Sequence, residues 1–129
     1  MARVVLIAAC IAAAASFVAA CGAESIEVAK DDPTRRGAVI FAERCGGCHT
    51  LAAAGTQGST SEVADRERED GPNFDDRKET VEDVIFAIQN GGFSGAIMPE
   101  NIVTGAEMRQ VAQFVAKYAG KTIDEAKKK

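Results

Sequence analysis

Histidine and tyrosine each occur once in these 129 residues, proline three times, and tryptophan not at all. A single imidazole excludes a metal centre built from several histidines, and an aromatic content of 5% leaves few large side chains to fill a core. No run has the alternation and flanking turn residues of a convincing β-strand. Nor is there a basic surplus: the formal net charge is -4, so nothing supports nucleic-acid binding. Charge is also absent from Val4 to Ala23, behind the single basic residue Arg3, which marks a secretory leader or a membrane span.

What is present is concentrated in one place. "FAERCGGCHT", Phe41 to Thr50, holds two of the four cysteines and the only histidine. Cys45, Cys48 and His49 in this spacing suit a dithiol redox couple, a structural zinc site or covalent attachment of a c-type haem. Zinc lacks ligands, because a closed site needs about four and no second Cys/His cluster follows. A thioredoxin-like dithiol needs a strand leading into a helix. Haem attachment needs only what is here: each thiol adds to a vinyl group, and the histidine that follows lies beneath the iron.

The leader assigns the compartment. Its end, Val18-Ala19-Ala20-Cys21, resembles the lipobox of bacterial lipoproteins, in which the cysteine is acylated and becomes the mature N-terminus. Cys21 is then a lipid anchor; an uncleaved helical anchor and free secretion after a cut near Ala23 are the alternatives. Cys10 reads as a small hydrophobe of the leader. All three routes export the domain, to the outer face of the cytoplasmic membrane or the periplasm. The expected division is a signal peptide over 1–20, a lipidated N-terminus and flexible tether over 21–32, a haem domain over 33–121, and a charged tail over 122–129.

Three helices are expected in an all-α domain with long loops. The first starts at Asp32-Pro33, an N-cap and a proline at the first helical position, and runs to about Cys48. The second starts at the Thr80/Asp83 capping box, carries Val81, Val84, Ile85 and Ile88, and stops at Gly91-Gly92. The third starts at the Thr104/Glu107 box, carries Met108, Val111, Phe114, Val115 and Tyr118, and ends at Gly120. A domain of about 90 residues with long loops is marginal on its own apolar burial, so the apo chain is expected to be largely unfolded.

In order and spacing, "CGGCHTLAAAG", "GPNFDD", "GAIMP" and "VAQFVAKY" resemble a class I monohaem cytochrome c over residues 33 to 120. The resemblance implies the cytochrome c fold, wrapped round one covalently attached haem c per chain. It implies His49 and Met98 as axial iron ligands, with the Pro72 carbonyl accepting the second ring proton of His49. Gly37 and Phe41 are implied to cross the last helix against Val115 and Tyr118. Phe74 stands where the family commonly has leucine and is expected to add little but volume. "SEVADRERED", Ser61 to Asp70, is an acidic insert read as a solvated loop.

The implied function is that of a monomeric one-electron carrier and not an enzyme, serving redox protein partners while held at the membrane by its lipid or helix. An electron-transfer subunit of a larger oxidoreductase is the alternative; a haem peroxidase or gas sensor would need Met98 displaced. Loss of Arg3 with the leader moves the formal balance from -4 to -5, which favours a partner with a basic docking surface.

Overall fold

The computed structural model describes residues 26–59, 67, 70–93, 97–122 and 124–125. The leader with Cys10 and Cys21, most of the acidic insert, and the last four residues therefore lie outside the described residues. Among those described, no helix is long and apolar enough to cross a membrane.

Three helices form the body: α1, Arg35–Arg44; α2, Val81–Asn90; and α3, Gly105–Tyr118. Between α1 and α2 lie two short antiparallel strands, β1 (Thr50–Leu51) and β2 (Thr56–Gln57), joined through a single 3-10 turn at Ala52–Ala54. This small hairpin departs from the strandless expectation; Gly55, at φ 64, makes its tight return.

Helix α3 packs on both α1 and α2. Its periodic stripe is the core: Met108, Val111, Phe114, Val115 and Tyr118 are all buried, joined by Ala112. Opposite them, α1 buries Gly37, Ala38, Ile40 and Phe41. A Cβ on Gly37 would stand 2.1 Å from the Gln110 carbonyl oxygen and 2.8 Å from Phe114 Cβ, so only glycine allows the two backbones this close. The atoms of α3 nearest to Gly37 belong to Gln110 and Phe114, and the expected Val115 and Tyr118 are buried in the same core. Phe41 and Phe114 meet edge-on, ring centroids 5.8 Å apart. Burying two such rings contributes on the order of 3–6 kcal/mol.

Helix α1 also differs at both ends from its expected span. It stops at Arg44, because the N–H groups of Cys45 and Gly46 both reach the Phe41 carbonyl. Two glycines then offer no helix propensity, and Cys45 to Cys48 form turns beyond the helix. At its start Thr34, not Asp32, is the N-cap residue. Asp32 instead accepts from Thr34 N (2.8 Å), Thr34 Oγ1 (2.7 Å), Lys117 Nζ (2.7 Å) and Tyr118 Oη (2.6 Å), joining the start of the domain to the end of α3.

The supposed tether is correspondingly shorter. Val28 is buried in the core, Ile26 packs against it, and the Glu27 N–H donates to Ala53 O at 3.1 Å. Arg35 Nη1 donates to Val28 O. Residues 26–32 are therefore part of the packed domain.

The two capping boxes fare differently. At α2 both halves are present, Asp83 N donating to Thr80 Oγ1 (3.1 Å) and Thr80 N to Asp83 Oδ2 (3.4 Å). At α3, Thr104 makes no side-chain cap. Glu107 pairs with Arg36 of α1 instead, at 3.6 Å.

Candidate haem site

The turns that follow α1 deliver the three residues of the motif. Cys48 N and His49 N both donate to Cys45 O, at 3.1 and 3.0 Å, winding the chain so that Cys45 is half-buried, Cys48 exposed and His49 buried. No disulfide joins the two cysteines. Before attachment, burial, and to a lesser degree the neighbouring Cys48, push the Cys45 thiol up to about 11. Among the described residues, no three His, Cys, Asp or Glu side chains could hold one metal ion, so the two sulfurs and the imidazole do not converge.

The segment after the acidic insert is laced to this turn by its backbone. Gly71 N donates to Cys48 O (2.8 Å) and Phe74 N to Thr50 O (2.9 Å), with a parallel bridge between Thr50 and Asn73. Ala52 N donates to Asp75 Oδ1 at 2.9 Å, and Asp75 N to Asn73 Oδ1 at 2.9 Å. The result places the Pro72 carbonyl 3.1 Å from His49 Nδ1. A carbonyl only accepts, so Nδ1 carries the proton and Nε2 is the nitrogen available to a metal. Burial holds the imidazole below its ordinary pKa; the charge of Arg77 adds to this and the Pro72 bond opposes it. The neutral form, the one that ligates, is thereby favoured.

Two further residues bear on the ring. A Cβ on Gly71 would lie 2.3 Å from His49 Cε1 and 2.5 Å from Nδ1, so the glycine backbone rests directly on the imidazole. Phe74 is stacked on it, centroids 4.9 Å apart and planes 16° from parallel. Sequence reasoning gave Phe74 only volume. Its replacement of the family's leucine was the one available signal, and its partner could not be read without the fold.

Met98 lies on the segment between α2 and α3, half-buried against the core. That segment is pinned to the end of α2. Asn101 N donates to Ile88 O at 2.7 Å, and a Cβ on Gly91 would be 2.8 Å from Met98 O. Met108 is buried on α3, as a core residue. Around Met98 in sequence stand Phe93 and Ile97, 64% and 48% exposed, with Phe86 stacked on Phe93 at 5.3 Å. Uncovered apolar surface of this kind is what a large apolar group occupies. Two cysteines outside any disulfide, followed directly by a neutral imidazole with Nε2 available, are the donor set that a c-type haem requires.

A family model described as cytochrome c matches residues 34–119. Among solved structures, the c-type cytochrome SorU from Sinorhizobium meliloti is 39% identical with a TM-score of 0.53, over 71% of this chain and 97% of that one. No curated protein matches. With α1, the Cys45-Cys48-His49 turn and α3 all inside the matched region, the chain belongs to the cytochrome c family and has its all-α fold and covalently bound haem c.

Proposed function

We propose that the protein is a class I one-electron carrier in which Cys45 and Cys48 hold the haem by thioethers and His49 and Met98 are the axial ligands. The observation that carries this reading is the His49 Nδ1 to Pro72 bond at 3.1 Å, which leaves Nε2 as the nitrogen able to ligate, one residue after Cys48 in the chain. Bound haem c supplies a reversible Fe(III)/Fe(II) couple. The chain's contribution is to saturate and tune it. Pro72 raises the basicity of His49 and fixes its tautomer. The soft thioether of Met98 favours the ferrous state and closes the position that oxygen or peroxide would need, so the reading is of a carrier and not an enzyme. Donor and acceptor are redox proteins, as family membership implies, and the acidic balance suits partners with basic docking surfaces.

Cys21 is the proposed lipidation site, holding a monomeric domain at the outer face of the membrane. The charge-free leader ending in Val18-Ala19-Ala20-Cys21 supports it. With residues 26–32 packed on the domain, only four residues separate that packed segment from Cys21 in the sequence, so the carrier works close to the membrane surface.

The test is Met98→Ala in the haem-loaded, mature protein. The far-red sulfur-to-iron absorption band should vanish, carbon monoxide should bind readily to the ferrous form, and the potential should fall by about 100 mV or more, within the ~0.8 V that axial ligation spans. An unchanged band and potential would remove Met98 from the site.

A further inference from the structure

The hydrogen bond from Nδ1 to Pro72 decides which nitrogen of His49 faces the metal, but one bond of 3.1 Å tolerates a wide swing of the ring about Cβ–Cγ. The stack with Phe74 does not. Near-parallel rings lose contact as soon as one turns, and here the planes lie 16° apart at 4.9 Å.

Phe74 itself is held by the scaffold. Its N–H donates to Thr50 O at 2.9 Å, and its carbonyl accepts from Gly120 N at 2.8 Å, at the end of α3. Its ring meets Phe41 edge-on, centroids 5.9 Å and planes 64° apart, and Phe41 is fully buried against Phe114. A chain of contacts thus runs from the α1/α3 crossing through Phe41 to Phe74 and on to the imidazole.

We infer that Phe74 is a positioning residue that sets the plane of the His49 imidazole, and through it the orientation of the axial-ligand π orbital over the haem. This rests on the ligation proposed above. The imidazole plane, together with the lone-pair orientation of the second axial ligand, selects which iron dπ orbital holds the unpaired electron of the ferric state. It therefore governs how spin is spread over the macrocycle, without touching the macrocycle.

The experiment compares ferric holoprotein of wild type, Phe74→Leu, Phe74→Tyr and Phe114→Leu by proton NMR of the haem methyl groups and by low-temperature electron paramagnetic resonance. Phe74→Leu should redistribute the hyperfine-shifted methyl resonances and change the g-anisotropy. Phe74→Tyr, which keeps a ring to stack, should retain the wild-type pattern. Phe114→Leu, two contacts removed from the imidazole, should lower the melting temperature and move the pattern less than Phe74→Leu does. A Phe74→Leu protein that melts lower with unmoved methyl shifts would make Phe74 a packing residue and overturn the inference. Should that variant not accumulate, a crystal structure of the wild-type holoprotein decides: near-parallel rings of Phe74 and His49 support the inference, and crossed rings overturn it. Absence of the far-red band in wild type would instead count against Met98 ligation, so the two failures are distinguishable.

Discussion

The crossing of α1 with α3 and the loops around His49 are both closely packed, but by different means. At the crossing, apolar side chains at helical spacing interlock, and glycine at position 37 lets the backbones touch. At the site, irregular segments some twenty residues apart in sequence are tied by backbone hydrogen bonds, Gly71 to Cys48 and Phe74 to Thr50, so that a carbonyl, a glycine and an aromatic ring all bear on one imidazole. The first kind of packing is a property of each helix face. The second exists only once the chain has closed, and a haem is the largest apolar body available to close it.

The largest effect should come from removing that body. In a Cys45→Ala/Cys48→Ala double variant, which cannot hold haem covalently, far-ultraviolet circular dichroism should show most of the helical signal lost and no cooperative melting. A three-helix core of this size is not expected to sustain itself. A variant that melts like the holoprotein would mean that the crossing stands alone.

The comparison sharpens when one substitution is made in both regions. Gly37→Ala drives a methyl group against the backbone of Gln110, which cannot turn aside. It should cost about 3 kcal/mol in denaturant unfolding while leaving the haem spectrum alone. Gly71→Ala meets a side-chain ring instead. It should cost less, about 1–2 kcal/mol, yet shift the potential and the methyl resonances as His49 tilts away from Pro72. Equal spectroscopic effects from the two variants would erase the distinction.

Smaller still is the Asp32 node, which belongs to the crossing side. Burial raises the Asp32 pKa, but the donors Lys117, Tyr118 and Thr34 outweigh it and hold the carboxyl well below the usual range. Burial and the Asp32 carboxylate push Tyr118 up to about 12. A depressed carboxyl stabilises the fold above its unfolded pKa, so that contribution should be lost as pH falls below about 4. A raised phenol stabilises it below its unfolded pKa, so that contribution should be lost as pH rises past about 10. Asp32→Asn should cost about 1 kcal/mol near neutrality and flatten both limbs of the stability profile. Limbs as steep as in wild type would place the titration elsewhere.

What could be read in advance follows the same division. The stripe from Met108 to Tyr118 and the Thr80/Asp83 box are decided within one helix or one turn, and both stand as expected. Thr104/Glu107 has the same local pattern, but a tertiary partner, Arg36, takes the glutamate. Asp32 before Pro33 reads as a helix cap. Its actual partners, Lys117 and Tyr118, are 85 and 86 residues away. Val28 looked like tether because two apolar residues, Ile26 and Val28, in a short polar stretch are too few to establish a period. At the site, Cys45, Cys48 and His49 were legible because their spacing is the chemistry; Met98 is proposed from its Met-Pro context alone. Gly71 and Phe74 were not, since their contacts with His49 require the segment 70–79 to lie against the turn that follows α1.

The most direct measurement is iron-edge X-ray absorption on the mature, haem-loaded protein in both oxidation states, beside Met98→Ala. Ferric and ferrous wild type should each show one sulfur among otherwise nitrogen ligands, and the variant should lose that sulfur. Wild-type iron with nitrogen or oxygen alone, or a sulfur that survives Met98→Ala, would contradict Met98 ligation.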